Sequence, residues 1–368
     1  MKYVECTEVR EEDGEMATAI IRLSERMDVL SNAPLNGGHC LTDTIFIMQV
    51  SHDYDDPDYL GDLRRKREQY GLPADSVGFM TAAEVKYVFS TAEEGCGDDA
   101  VFVAATAGVT NCVCAGDELD NWERRKAHSR EIYERLVAGT INIVAVSSLP
   151  LTNGAKVNLM MPIVEAKTLA MSDRGFGETG TTSDAVAIVS PVSEDRARFA
   201  GTGTPLGIAA ARGVRRAVAE CLENRGEAPI PRDALDMLGM AGVDAGMLWD
   251  VAAALGLKGS AKDEFEGTVG EMASDPDIRT LVYGVLSAGL FAERDGAMVR
   301  EGTPEVIADG TLAILIASRI SEERGSDSAV DAIGLRPLEG RGVPEYAEAA
   351  AYGLAAGVVA YLTGFSDD

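Results

Sequence analysis

Hydrophobic positions change character near residue 225. Before it, short runs rich in Val, Ile, Phe, Thr and Ala alternate with stretches of helical spacing. The runs Tyr3–Val9, Thr18–Leu23, Val85–Ser90, Ala100–Ala105, Ile141–Val146, Ala185–Val189 and Arg198–Gly201 predict strands, several of them bounded by Gly, Asp or Asn. Helices are predicted over Glu123–Val137 and Ile208–Asn224. The second buries one face through Ala210, Val214, Ala217, Val218 and Cys221 and stops at Asn224-Arg225-Gly226. Two prolines in Glu227-Ala-Pro-Ile-Pro-Arg232 mark a linker. Beyond it β-branched runs nearly vanish, and Thr280–Ala292, Pro304–Glu323 and Pro344–Thr363 predict helices carrying small residues that permit close packing. The expected architecture is an N-terminal α/β domain over 1–226, a mixed sheet with flanking helices. A linker over 227–232 and an all-α domain over 233–368 follow.

Composition narrows the classes of function. The chain of 368 residues is 46% hydrophobic and 25% charged, ordinary for a folded protein, with a net charge of −27. Both sides of the linker are acidic, so no basic stripe is present to replace counterions, and nucleic-acid binding is not expected. The first residues lack the apolar core of a secretory signal, and no apolar run reaches the ~18–20 residues of a membrane span. Six cysteines are too few for a disulfide framework, and Cys112-x-Cys114 lacks C-x-x-C spacing. A cytoplasmic protein with no membrane partner is expected. Lysine is scarce (8, against 25 arginines) and acids spread along the whole chain, a pattern that keeps a protein hydrated where salt screens charge. A high-salt cytoplasm is the hypothesis this suggests.

Phosphate-loop, H-E-x-x-H and G-x-S-x-G motifs are absent. The histidines are His39, His52 and His128, too few for a His-rich metal site, and each read alone is a surface or structural residue. What stands out is five loops rich in glycine, hydroxyls and carboxamides beside apolar runs: Leu30–Gly38, Thr106–Asn111, Gly139–Asn142, Thr179–Asp184 and Gly201–Thr204. Glycine lets a backbone approach a ligand and aim its N–H groups, while Asn and Thr add side-chain donors. Any one loop reads as a strand-ending turn. Five in one domain point to a shared ligand mouth.

The stretches VLSNAPLNGG, ATAGVTN, AGD, GTINIVAV, EAKTLAM, TGTTSDAVAIVS and FAGTGTPLG, in that order between Val29 and Gly207, resemble the adenosylcobinamide amidohydrolase family of archaeal cobalamin salvage. The resemblance implies cleavage of the amide joining aminopropanol to a propionate of the corrin ring. The implied products are adenosylcobyric acid and 1-aminopropan-2-ol, and no cofactor is firmly implied. Amide hydrolysis needs a nucleophile or activated water, an oxyanion stabiliser and an acid for the leaving amine. Asp184 could activate water, or it could cap its loop. Glu165 and Lys167 are two apart in a helical segment and do not face each other, so one can point to the site and one to solvent. Lys167 could polarise the carbonyl or hold a corrin amide, or be a surface lysine. Asn32, Asn36, Asn111 and Asn142 offer donor and acceptor to a substrate fringed with carboxamides, with Gly37 and Thr202 in the same loops. Thr181, Thr182, Ser183 and Cys114 are conceivable nucleophiles, ranked below water because no partnered histidine is in view. Asp117 could bind a metal or nothing.

The second domain resembles the archaeal α-ribazole-phosphate phosphatases, relatives of phosphatidylglycerophosphatase A, through SDPDIRTLVYGVLSAGLF, EVIADGTLAILIASRI and VPEYAEAAAYGLAAGVVAYLTG. It departs from them at Asp309-Gly310, where the group often has Asp-Glu, and in the last helix, where Glu345 and Glu348 stand in place of a paired Asp. Glu305 and Asp309 are four apart and Glu345 and Glu348 three apart, so each pair shares a helix face. Together they could hold Mg²⁺ against a phosphate, or be solvated faces of an acidic protein. The two resemblances combine in a bifunctional hydrolase/phosphatase acting on small corrinoid and nucleotide-loop substrates, with homodimerisation a guess. The alternative is a corrinoid-binding module with a non-catalytic helical scaffold.

Overall fold

The structure, a computed structural model, describes all residues except 1, 13–14, 53, 117–138, 227–232, 296–306 and 365–368, and the side chains of 290–295 and 307–309 are likewise left out. The expected helix Glu123–Val137, Asp117, His128, Glu305 and the linker residues lie outside the described residues. Two compact units are present, Met1–Ile230 and Pro231–Asp368.

In the first unit the strands are β1 (Val4–Arg10), β2 (Thr18–Ser31), β3 (Gly38–Gln49), β4 (Val77–Thr81), β5 (Ser90–Cys96), β6 (Asp99–Ala107), β7 (Cys112–Val113), β8 (Ile141–Ser147), β9 (Gly180–Thr181) and β10 (Ala185–Ser190). Its helices are α1 (Tyr59–Gln69), α2 (Val85–Val88), α3 (Asn153–Ser172) and α4 (Pro205–Arg225). The main sheet runs β4-β3-β2-β10-β8-β6-β5, with β1 paired to β2, while β7 and β9 form a separate small ribbon. The sheet is mixed, as expected: β10 runs parallel to β8 but antiparallel to β2. Strand alternation sorts its two faces. Ala19 and Ile21 on β2, Ile45 and Ile47 on β3, Val144 and Val146 on β8, and Ala187 and Val189 on β10 share one buried cluster. The intervening Ile143, Ala145, Val186 and Ile188 pack instead with Leu159, Ile163, Ala166, Val214 and Val218 of α3 and α4. Both faces of the central strands are therefore covered, which is why β8 reads as one unbroken apolar run. Each such Val, Leu or Ile side chain contributes about 1.5–3 kcal/mol when fully buried.

Caps fix the helix ends. Thr152 accepts from Ala155 N at 3.1 Å ahead of α3, and Thr204 accepts from Gly207 N at 3.0 Å ahead of α4. Gly226, at φ 67°, closes α4 where the sequence sets its stop. Two expected strands are corrected. Val85–Ser90 begins as the short helix α2, whose Val85 and Val88, three apart, are both buried. Arg198–Gly201 forms no strand: Phe199 is exposed, and Ala200 N donates to the Asn158 side chain at 3.0 Å rather than to a neighbouring strand.

The second unit is helical: α5 (Ala234–Met240), α6 (Ala245–Ala254), α7 (Lys262–Ala273), α8 (Pro276–Asp295), α9 (Ile307–Leu335) and α10 (Glu345–Gly364). α10 is its axis, buried from Ala349 to Ala360 and packed most extensively against α9. Gly353 makes the approach possible, since a Cβ there would lie 2.6 Å from the Ala313 carbonyl oxygen. α9 breaks at Ser321–Glu322, close to where the sequence predicts a helix end, and then continues to Leu335. Among the described residues no single helix is long and apolar enough to cross a membrane.

Candidate active site

Three of the five loops meet at one end of the sheet, where β6 ends and β8 and β10 begin. Asn111 joins them: its Oδ1 accepts from Gly139 N at 2.9 Å, and its Nδ2 donates to Thr182 Oγ1 at 2.9 Å. Thr140 and Ser183 hydroxyls meet at 2.7 Å. Asn142 donates to Met80 O at 3.0 Å and to Thr106 Oγ1 at 3.3 Å, and its own Oδ1 is buried with no partner among the described residues. The Leu30–Gly38 loop joins through Asn32, which accepts from Val186 N at 2.7 Å and donates to Asp184 O at 3.1 Å.

At the centre stands Asp184. Its carboxylate is paired with the Lys167 ammonium and accepts from the Thr181 hydroxyl, from Thr181 N at 3.1 Å and from Ile141 N at 3.1 Å. Four donors on two oxygens hold the Thr179–Asp184 loop onto the head of β8, a loop-anchoring arrangement. Gly180 completes it, because a Cβ there would lie 2.2 Å from Lys167 Nζ and 2.3 Å from Asp184 Oδ2. The two neighbours on α3 part company: Lys167 turns to the sheet, while Glu165 is exposed and accepts from Thr202 Oγ1 at 3.3 Å. Thr182 and Ser183 are exposed residues at the rim, their hydroxyls engaged by Asn111 and Thr140, whereas Thr181 is buried.

Two expected members lie apart from this cluster. Asn36, at φ 54°, donates through Nδ2 to Ala74 O (3.1 Å) and Ser76 O (2.8 Å) and ties its turn to the segment leading into β4, with Gly37 exposed beside it. The Gly201–Thr204 loop, with Thr202, packs along α3 and caps α4. Cys114 donates to Gly177 O at 3.4 Å at the edge of the β7–β9 ribbon. In the second unit Glu345 and Glu348 occupy the first turn of α10. Glu345 is exposed, and Glu348 Oε2 accepts from the Tyr352 hydroxyl at 3.3 Å. Burial pushes the Glu348 carboxyl above its ordinary value, with Glu345 and Glu339 adding to the rise. The Asp309 side chain is outside the described residues, and among those described no three His, Cys, Asp or Glu side chains are placed to hold a metal ion.

A second polar cluster under α3 was not legible in the sequence. Lys156, wholly buried, places its ammonium 2.5 Å from Asp28 Oδ1 on β2, and His39 Nε2 lies 2.6 Å from the same oxygen. Arg196 approaches Asp28 Oδ2 at 3.7 Å. Burial lowers the proton affinity of Lys156, and Asp28 opposes that shift. Lys156 and Lys167 are eleven residues apart, so both face the sheet from one stripe of α3, about 16 Å from each other.

The comparisons with known proteins bear on the first unit. The family model described as adenosylcobinamide amidohydrolase matches residues 1–229. An adenosylcobinamide amidohydrolase of Methanosarcina mazei is 29% identical over 202 residues, covering 52% of this chain and 89% of its own length. Another, from Halobacterium salinarum, is 35% identical over 126 residues, or 34% of this chain and 51% of that protein. A crystal structure of a Pyrococcus horikoshii protein overlays 61% of this chain and 85% of its own with a TM-score of 0.34 and 12% identity. The matched stretch contains every loop of the mouth and both lysine–aspartate pairs beneath α3, and the chain belongs to the adenosylcobinamide amidohydrolase family.

Proposed function

We propose that the first unit hydrolyses the amide between aminopropanol and a propionate arm of the corrin ring in adenosylcobinamide, giving adenosylcobyric acid and 1-aminopropan-2-ol. One observation carries this reading: within the stretch matched by the family, three loops bearing Asn111, Thr140, Asn142, Thr182 and Ser183 are tied into one mouth. Thr182 and Ser183 stand exposed at the rim, and the Thr182 hydroxyl, which accepts from Asn111, keeps its proton to donate to a carboxamide oxygen. Asp184 holds Lys167 at the mouth, so the ammonium is placed in advance to hold a carboxamide oxygen of a corrin arm. The test is incubation of the full chain with adenosylcobinamide, followed by chromatography. Adenosylcobyric acid and free aminopropanol are expected. Tight binding with unchanged substrate would make the unit a corrinoid-binding module instead.

We propose a second activity for the other unit: Mg²⁺-dependent dephosphorylation of α-ribazole 5′-phosphate, which would make the chain bifunctional. Its supports are the motif resemblance and the carboxylates of Glu345 and Glu348 on one turn of α10, with Glu305 and Asp309 as the further expected ligands. Two carboxylates with water are a fit for Mg²⁺, which keeps several of its waters. Phosphate release by the full chain that rises with Mg²⁺ and is lost in Asp309→Asn, with amide cleavage intact, is the expected result. No release at any Mg²⁺ concentration would leave the unit a scaffold.

A further inference from the structure

We propose that His39, held by Asp28, is the general acid–base of the amide hydrolysis, an inference that rests on the amidohydrolase reading above.

The dyad has the parts such a role requires. Asp28 is 4% exposed and His39 51% exposed, so a buried carboxylate orients an imidazole whose other edge is open. Nε2 lies 2.6 Å from Asp28 Oδ1, so the carboxylate occupies that edge of the ring and proton transfer falls to Nδ1. Asp28 is itself fixed: Lys156 from α3 reaches the same oxygen, and Arg196, from the segment after β10, approaches the other. An ion pair at the surface would scarcely need a lysine with no exposed side-chain area beneath it. Here the lysine holds the carboxylate that holds the histidine.

Its place in the fold is also right. His39 is the second residue of β3 and follows directly the Leu30–Gly38 loop, which Asn32 ties to Asp184. In register it stands opposite Leu30, itself opposite Ile188, four residues along β10 from Asp184. Asp184 is about 13 Å along β10 from Ile188, and His39 is two strands to the side, so about 16 Å separates His39 from Asp184. A macrocycle with several carboxamide arms can rest other arms on the mouth while its aminopropanol arm reaches His39.

The step balances as follows. Nδ1 takes a proton from water as the water oxygen bonds to the amide carbon. The tetrahedral intermediate then collapses with loss of the C–N bond, and the imidazolium returns the proton to the departing nitrogen. A carboxylic acid and an amine result, which exchange a proton in water. His39 is the catalytic residue, and Asp28 and Lys156 are positioning residues.

The test uses the full chain. Replacement at the half-exposed His39 leaves the core intact, so His39→Gln is expected to keep its thermal midpoint and its KM within a few-fold while kcat falls by about 10²–10⁴-fold. The acid limb of the wild-type kcat/KM profile is expected to disappear in this variant. The charged and titratable groups facing His39 are Asp28, Lys156 and Arg196, with Cys40 and the Arg26–Asp75 pair at the edge. Asp28→Asn is expected to shift that limb as well as lower kcat, which loss of packing alone would not do. Wild-type turnover with His39→Gln within a few-fold of it would overturn the proposal and leave the amidohydrolase reading standing. No turnover by the wild type would remove the reading itself.

Discussion

Asp184 and Lys167 stabilise the mouth unequally, and the difference can be measured. Asp184 receives three donors besides the lysine, so Lys167→Met leaves a carboxylate still hydrogen-bonded. Asp184→Asn removes the counter-charge from a mostly buried ammonium and turns an NH₂ donor toward groups that are themselves donors. Breaking such a pair from the carboxylate side costs on the order of 3 kcal/mol. Chemical denaturation is therefore expected to show a clearly larger loss for Asp184→Asn than for Lys167→Met. The reverse order would mean that the lysine, not the carboxylate, organises the loop. Gly180→Ala places a methyl where the pair meets, and it is expected to lower amide hydrolysis by about 10-fold or more as well as costing about 1–3 kcal/mol. Steady-state kinetics alongside a thermal melt checks both. At this scale the sequence is legible only where partners are close along the chain. Thr181 and Asp184 lie in one loop, and the roles of Glu165 and Lys167 separate by helical geometry alone. Asp28, His39 and Lys156 come from three segments, and nothing local in any of them signals the other two. A histidine read singly looks like a surface residue until the fold supplies its carboxylate.

Elements were legible in proportion to how continuous their apolar pattern is. β6, β8 and β10 are buried on both faces and stand out as unbroken runs, whereas β3 opens with Gly38-His-Cys-Leu-Thr-Asp-Thr44 and hides its apolar half behind polar residues. α1 is charged at six of its eleven residues and buries only Leu63, so it carries no stripe to detect. Val85–Ser90 misleads because valines three apart serve a helical turn as readily as a strand. α10 presents a further measurable case. Burial raises the Glu348 carboxyl above its ordinary 4.5, so ionising it opposes folding at neutral pH. The penalty is present above the folded-state value and absent below about 4.5, where both states are protonated. Glu348→Gln is expected to raise the thermal midpoint at pH 7, with the gain shrinking to nothing as pH falls below 4.5. Added Mg²⁺ should narrow the gap at pH 7 by stabilising the wild type, if this turn holds the ion. A variant less stable than the wild type at pH 7 would mean that the bond from Tyr352 outweighs the burial.

At the scale of the whole molecule, charge decides how the protein responds to salt. Most ion pairs among the described residues are exposed on at least one side, among them Arg215–Asp173, Arg65–Asp58 and Arg336–Glu339. Such pairs contribute about 0–1 kcal/mol each and weaken as salt rises. Against them stands an uncompensated charge of −27 whose self-repulsion salt relieves. The screening length falls from about 10 Å at 0.1 M to about 3 Å at 1 M, so repulsion between acids on opposite sides of a loop or helix is removed well before contacts at hydrogen-bond distance are. Among the described residues the buried pairs Lys156–Asp28 and Lys167–Asp184 are shielded from solvent and keep most of their attraction. Relief of repulsion should therefore outweigh loss of attraction, and stability should increase from dilute buffer to molar KCl. A thermal midpoint that rises between 0.1 M and 2 M KCl is the expected outcome, with the rise diminished in variants that replace exposed Asp and Glu by Asn and Gln. A midpoint that is highest in dilute buffer would show that the surface pairs govern stability, and the hypothesis of a high-salt cytoplasm would lose its physical basis.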